Sequence, residues 1–339
     1  MTLTTKNRLD AGTDALRARA ETHKIARLLG LDTPGQLAFL HPLPADELRR
    51  FREQTVAALF DGAPDMLERI AAATKLVPAA VAAVISQKAL GPRLAAAVAG
   101  RLDGARAAAI IEKLPVPFTA ASCGHLDPRR IPEIVDRLDE DLVVQIAVRL
   151  AEDGDFLTMG RFTGHLRDGA LRRIIGQISD EAVLRTGYFI DQPDRIDPVL
   201  GLLGAARLES LIRSASDEGL WPEALTVLGM AGAERRAEVL VLPPLRDTDV
   251  LAGAVRAAVD TGLWGAFLPL VDELPDESRM AVAAAAGELP DAELESMAEE
   301  TGERDLWDAV LPLVELMDDA AKERILALPA FREQQGAPG

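Results

Sequence analysis

The feature that most narrows what this chain can fold into is a leucine that returns every twelve residues. Leu90, Leu102, Leu114, Leu126, Leu138 and Leu150 are evenly spaced, and after a four-residue insertion around Glu152 to Asp155 the interval resumes at Leu166, Ile178, Ile190 and Leu202. Within each unit the fifth, eighth, ninth and twelfth positions are apolar, which is the i, i+3, i+4, i+7 stripe of one helix face. Ile131, Ile134, Val135 and Leu138 show it, as do Leu171, Ile174, Ile175 and Ile178, and in weaker form Ala107, Ile110, Ile111 and Leu114. Asp103, Asp127, Asp139 and Ser179 open units with side chains that accept from free backbone N–H groups, and Pro128 suits a first helical position. Each unit predicts a helix of about nine residues and a turn of about three, too short to stand alone. The units must therefore stack on their neighbours, which predicts an all-α, right-handed α-solenoid (superhelix) of short helices.

The last third keeps the principle and changes the rhythm. Leu220-Trp221, Leu263-Trp264 and Leu306-Trp307 are each 43 residues apart. Glu223-Ala224-Leu225, Ala266-Phe267-Leu268 and Ala309-Val310-Leu311 fall in the same register, as do Val239, Val282 and Ile325. That period lies in the range of HEAT and armadillo-like repeats of two or three helices. In the first part, residues 10–29 and 46–60 read as amphipathic helices joined through the Pro- and Gly-containing stretch Asp32 to Pro44. The resulting organisation is a disordered tail at 1–8, a helical cap at 9–77, the short-helix superhelix at 78–204, three 43-residue-period repeats at 205–331 and a second tail at 332–339.

Composition agrees with helices: 48% of residues are hydrophobic but only 4% aromatic. The formal net charge of −17 makes nucleic acid a poor partner, because a local basic patch would work against the field of the whole molecule. Cys123 is the only cysteine, so no intrachain disulfide forms. Met1 to Lys24 has no apolar run of signal-peptide length, and no stretch approaches the roughly 20 apolar residues of a membrane span. These features predict a soluble, cytoplasmic protein.

The stretch KLPVPFTAASCGHLDPRRIPEIVDRLDEDLVVQIAVRL, from Lys113 to Leu150, resembles the superhelical cytoplasmic domain at the N-terminus of MgtE-type magnesium transporters. It is also similar to the helical repeats of the flagellar switch protein FliG. Both families recur on a leucine followed by Asp or Pro about every twelve residues, and the resemblance covers residues 90–202. It implies a superhelix of short helices with a regulatory or docking role. Channel gating does not carry over, since the nucleotide-binding module and membrane helices of the transporter have no counterpart in the sequence.

Three groups of residues are candidates for function. The eleventh position of successive units holds Arg101, Lys113, His125, Arg137, Arg149, His165 and Gln177, a mostly basic column in an acidic protein. It either complements helix dipoles and caps free carbonyls, or lines an edge that docks an acidic partner segment. The insertion at 151–165 reads as a loop in which Phe156, Met159 and Phe162 either bind a partner or only reset the superhelix phase. Cys123 and His125, with His165, could be read as metal ligands, but Cys123 takes a position filled elsewhere by Ile111, Val135, Ala147 and Ile175, which favours a core role. Trp221, Trp264 and Trp307, in phase with the repeat, read as packing between repeats rather than a ligand box.

The acidic residues show no spacing suited to acid–base catalysis, and the sequence has no P-loop, G-x-G-x-x-G, G-x-S-x-G or H-E-x-x-H motif. The leading expectation is a non-enzymatic interaction scaffold or adaptor, without a cofactor or metal, that holds one or more proteins. The alternative is a soluble regulatory module responding to a divalent cation (magnesium) or small ligand. A third reading, docking of the N-terminal amphipathic helices on a lipid surface, is disfavoured by the acidic charge.

Overall fold

A computed structural model describes residues 3–60, 64–303 and 306–329. Among these residues the regular structure is entirely helical, with 22 α-helices, four 3-10 segments and one π segment. The chain divides into two compact bodies. The middle body is Glu21–Leu40 with Asp46–Leu202; the C-terminal body runs from Leu203 and takes in the chain up to Ala20 and His41–Ala45. Residues 9–77, grouped by sequence as one cap, are thus shared between the two. Helix α1 spans Leu3–Leu29, so residues 3–8 continue a helix where the sequence suggests a tail. The second tail, 332–339, lies outside the described residues.

In the middle body α2 (Ala45–Phe60), α3 (Pro64–Thr74), α4 (Ala79–Ile85), α5 (Gly91–Ala99) and α6 (Gly104–Ile111) lead into α7 (Val116–Cys123) and α8 (Pro132–Arg137). They are followed by α9 (Glu140–Glu152), α10 (Phe156–Thr163), α11 (Asp168–Ile175), α12 (Asp180–Tyr188) and α13 (Ile196–Leu202). Helices meet the next but one: α3 packs on α5, α4 on α6, α5 on α7, α6 on α8, α7 on α9, α9 on α11, α10 on α12 and α11 on α13. The pattern is interrupted after α8, where α10 packs on α9. Leu102, Leu126, Leu138 and Leu166 are half-buried against a cluster of Ala107, Ile111, Ile131, Ile134 and Val135. A second cluster, centred on Val144, Ile146, Leu150 and Met159, takes Leu166 again and Ile178.

Helix starts are set by side chains. Asp103 accepts from the Arg106 N–H at 2.9 Å, Asp139 from Asp141 and Leu142 at 2.9 and 3.3 Å, and Ser179 from Ala182 at 3.1 Å. Each such cap is worth about 1 kcal/mol. Asp127 caps differently. Its carboxylate accepts from Arg129 N–H at the head of a 3-10 turn, Pro128–Arg130, and the α-helix begins only at Pro132. Proline excludes its predecessor from the helical region, and Ile131 sits at φ −129°, which splits that unit in two.

The four added residues lengthen a helix. Helix α9 has 13 residues where α6 and α7 have 8 each, and it ends in a Schellman turn with Gly154 at φ 70° and the Asp155 N–H donating to Leu150 O at 2.8 Å. Four residues are about one helical turn, so the apolar stripe stays on its face.

The C-terminal body contains α14 (Ala205–Asp217), α15 (Trp221–Met230), α16 (Ala233–Leu240), α17 (Thr248–Asp260) and α18 (Trp264–Val271). It ends with α19 (Asp276–Gly287), α20 (Asp291–Glu303), α21 (Trp307–Glu315) and α22 (Asp319–Ala327). Next-but-one packing recurs in α15 on α17, α17 on α19, α18 on α20, α19 on α21 and α20 on α22. Each tryptophan starts a helix directly after a tight turn in which Leu220, Leu263 and Leu306 N–H groups donate five residues back, to Ala215, Ala258 and Thr301. Trp221, Trp264 and Trp307 are buried, as are Val239, Val282 and Ile325.

Candidate functional site

The densest concentration of polar chemistry is a buried ion cluster in the middle body. Glu21 and Lys24 lie one turn apart on α1, and Lys24 Nζ donates to Glu21 Oε1 at 2.9 Å and to Asp191 Oδ1. Arg52 of α2 donates through Nε to Glu21 Oε2 at 2.7 Å and through Nη2 to Asp191 Oδ1 at 3.0 Å. Arg49, one turn earlier on α2, donates to the Asp191 carbonyl. The side chains of Lys24, Arg52, Glu21 and Asp191 are only 3, 5, 7 and 12% exposed. Two cations face two carboxylates, which is how charge is tolerated out of water.

Burial alone would raise the Asp191 carboxyl, but Lys24 and Arg52 overcome it and hold this group well below the usual carboxylate range. Burial likewise works against the Arg52 charge, and Asp191 and Glu21 more than offset it, so its pKa rises.

Neighbouring pairs extend the cluster. Arg129 meets both Glu53 and Asp127. Arg27 of α1 makes a two-pronged pair with Asp155, Nη2 to Oδ2 at 2.7 Å, and Asp155 also caps α10 by accepting from Thr158 N–H at 3.2 Å. Arg161 of α10 donates to Leu126 O at 2.7 Å, and burial lowers its pKa. The arrangement binds α1 and α2 to α10 and to the turn after α12. Glu21-x-x-Lys24 is an ordinary helical pairing in sequence, and nothing local connects it to Asp191, 167 residues beyond Lys24.

The basic column has equivalent backbone settings for most of its members. Arg101, Lys113, His125, His165 and Gln177 each follow a helix and donate their N–H three residues back, to Val98, Ile110, Ser122, Phe162 and Ile174. Arg101 also donates Nη1 to Ala97 O at 3.0 Å, a helix-end carbonyl. Arg137 is the last residue of α8. Arg149 departs from the pattern, because the lengthened α9 leaves it inside a helix, paired with Asp153 at 2.7 Å. The column divides between alternate helices: Arg101, His125 and Arg149 belong to α5, α7 and α9, which pack in turn, Lys113 and Arg137 to the packed pair α6 and α8, and His165 to α10, which packs on α9 and α12 instead.

The insertion does not form a loop. Asp155 nucleates α10, which places Phe156, Met159 and Phe162 on helical spacing. Met159 is buried in the core cluster and both phenylalanines are half-buried against it. Cys123 belongs to the same cluster, and burial, with Asp155 nearby, pushes its thiol up to about 12. His125 is exposed, and His165 is half-buried with Nε2 3.2 Å from the Gln192 amide. Burial lowers both histidine pKa values, with Arg93 and Arg27 adding to the effect at His125. Among the described residues no group of three His, Cys, Asp or Glu side chains converges as a metal site would, and no helix is long and apolar enough to cross a membrane.

Compared with protein-family models, curated proteins and solved structures, the chain shows no significant match.

Proposed function

We propose that this chain is a non-enzymatic protein–protein interaction scaffold, a right-handed α-solenoid of short repeats that holds one or more protein partners. The observation that carries the reading is the next-but-one packing among α3 to α9, in which Lys113 and Arg137 are exposed and Arg101 half-buried at the ends of α6, α8 and α5. Such stacks bury one face of every helix and leave a long, regularly furnished surface for an extended partner. Cations at these turns in a chain of net charge −17 favour an acidic partner segment. The resemblance of residues 90–202 to the transporter superhelix points the same way, toward docking.

The test is affinity capture from the native host lysate with the wild-type chain and with Arg101→Glu/Lys113→Glu/Arg137→Glu, after circular dichroism shows that both melt alike. Arg149 is left unchanged because Asp153 holds it. Proteins retained by the wild type and lost by the triple variant support the reading. Equal retention removes the basic turns from it, and recovery of no specific protein overturns the scaffold itself.

A further inference from the structure

Two exposed apolar faces, one in each body, carry opposite charge. The first is on α4. Ala82 and Ala83 face inward with Ile110 of α6, while Val81, Val84 and Ile85, at i, i+3 and i+4, are 46, 52 and 45% exposed. Leu76 before it and Leu94 of α5 are exposed as well. Between Glu68 and Asp103 the chain that carries this face is wholly cationic. From residue 69 to 101 the charged residues are Arg69, Lys75, Lys88, Arg93 and Arg101, with no Asp or Glu among them, although the whole protein is at −17. Lys75, Lys88 and Arg93 are exposed.

The second face is on α21 and α22. Leu225 and Leu268 are buried at 4 and 0%, but Leu311, in the same register of the third copy, is 47% exposed. Helix α18 is covered by α20 and α21, whereas among the described residues only α22 follows α21. Leu316 and Leu326 are also exposed, and the charges along this stretch are Glu315, Asp318, Asp319 and Glu323 against Lys322 and Arg324, of which Arg324 is paired with Asp291. Apolar patches of this kind are seldom left uncovered.

We propose that the occupant of each face is a second copy of this chain: the basic α4–α5 face of one molecule seats on the acidic α21–α22 face of the next. Charge complementarity selects this pairing over like-on-like association, since basic on basic or acidic on acidic juxtaposes like charges. It also disfavours an anionic membrane on the α4 face, because the remainder of an acidic molecule is repelled by that surface. The contact is head to tail, so each copy offers one donor face and one acceptor face. Partner binding at the helix-end turns of Lys113 and Arg137 is a separate matter, and Arg101, which also closes the cationic stretch, is the one residue the two readings share.

Sedimentation velocity on the full chain tests the proposal, using Val84→Glu and Leu311→Glu, both at exposed positions, with unchanged melting as the check on folding. The wild type should gain mass with concentration, less so when salt is raised from roughly 50 mM to roughly 500 mM. Each variant should associate at least about tenfold more weakly, because a carboxylate is placed in the apolar contact. Mixed one to one, the variants should form a dimer and nothing larger, since one intact donor face meets one intact acceptor face and the two altered faces repel. A wild type that is monomeric at every concentration overturns the proposal, as does a mixture that fails to dimerise or a Val84→Glu variant that associates like the wild type. Binding of wild-type monomer to phosphatidylserine vesicles, lost in Val84→Glu, would assign the α4 face to lipid and equally overturn it.

Discussion

Arg52 and Asp191 stand 139 residues apart in the chain and 3.0 Å apart in space, Nη2 to Oδ1, with Lys24 and Glu21 completing a buried ring of two cations and two anions. Removing one partner leaves the others charged and out of water, which costs about 3–5 kcal/mol. Asp191→Asn should therefore lower the urea midpoint markedly. Asp141→Asn, which removes an exposed partner of Arg173, should change the unfolding free energy by no more than about 1 kcal/mol. Equal effects of the two substitutions would show that the buried cluster does not secure α1 and α2.

The same groups set a pH dependence with two windows. Asp191 has a folded pKa below its unfolded value, so its contribution is present above the ordinary carboxylate range near 4 and is lost as pH falls below it. His125 and His165 are also lowered, chiefly by burial; Arg93, Arg27 and Asp155 act on the first, and Asp127, Asp191 and Arg129 on the second. Below the ordinary histidine value of 6.5 the unfolded chain binds protons that the folded chain resists, so stability falls. The melting temperature should drop between about pH 7.5 and about pH 5.5, less steeply in His125→Gln/His165→Gln, and drop again near pH 4, less steeply in Asp191→Asn. Superimposable profiles for wild type and variants would contradict both assignments.

What was legible in the sequence was whatever repeats locally. The helical class follows from apolar spacing at Ile131, Ile134, Val135 and Leu138, and Asp103, Asp139 and Ser179 accept the backbone hydrogen bonds their positions suggest. Pro132, within the unit that Asp127 opens, carried enough information to foresee the broken helix, since a proline constrains the residue before it. The insertion misleads because Gly154 reads as a loop residue when it is a helix terminator, and the extra turn keeps Phe156, Met159 and Phe162 in phase with the core. The ion cluster was invisible for a different reason: its members come from α1, α2 and the turn after α12, and a single sequence holds no record of contacts at that range.

Two glycines mark places where backbones touch. A Cβ on Gly160 of α10 would stand 2.6 Å from the Phe189 carbonyl carbon, and one on Gly12 of α1 would stand 2.6 Å from the Ala266 Cα. Backbone cannot rotate away as a side chain does, so Gly160→Ala and Gly12→Ala should each destabilise by about 1–3 kcal/mol. Gly100→Ala, at a helical φ of −64° with nothing closer than 3.8 Å to the added carbon, is the control and should be close to neutral. Chemical denaturation of the three variants separates close approach from a general cost of losing glycine.

The lone thiol gives a direct test of core packing in the middle body. Cys123 ends α7 among Ala120, Val144, Ala147 and Met159, and burial pushes it up to about 12. Only the thiolate attacks alkylating reagents, so at pH 8 its reactive fraction should be about a thousandfold below that of an ordinary cysteine, before steric exclusion is counted. Iodoacetamide should leave the folded protein unmodified over hours and label it fully in urea, with Cys123→Ala as the blank. Sub-denaturing urea then reads local opening of the α7–α9 core: labelling that rises well below the global transition would mean that this segment opens independently, and labelling that tracks the transition would mean that it unfolds with the rest of its body. Rapid labelling of the folded protein without urea would refute the placement of Cys123 in the core.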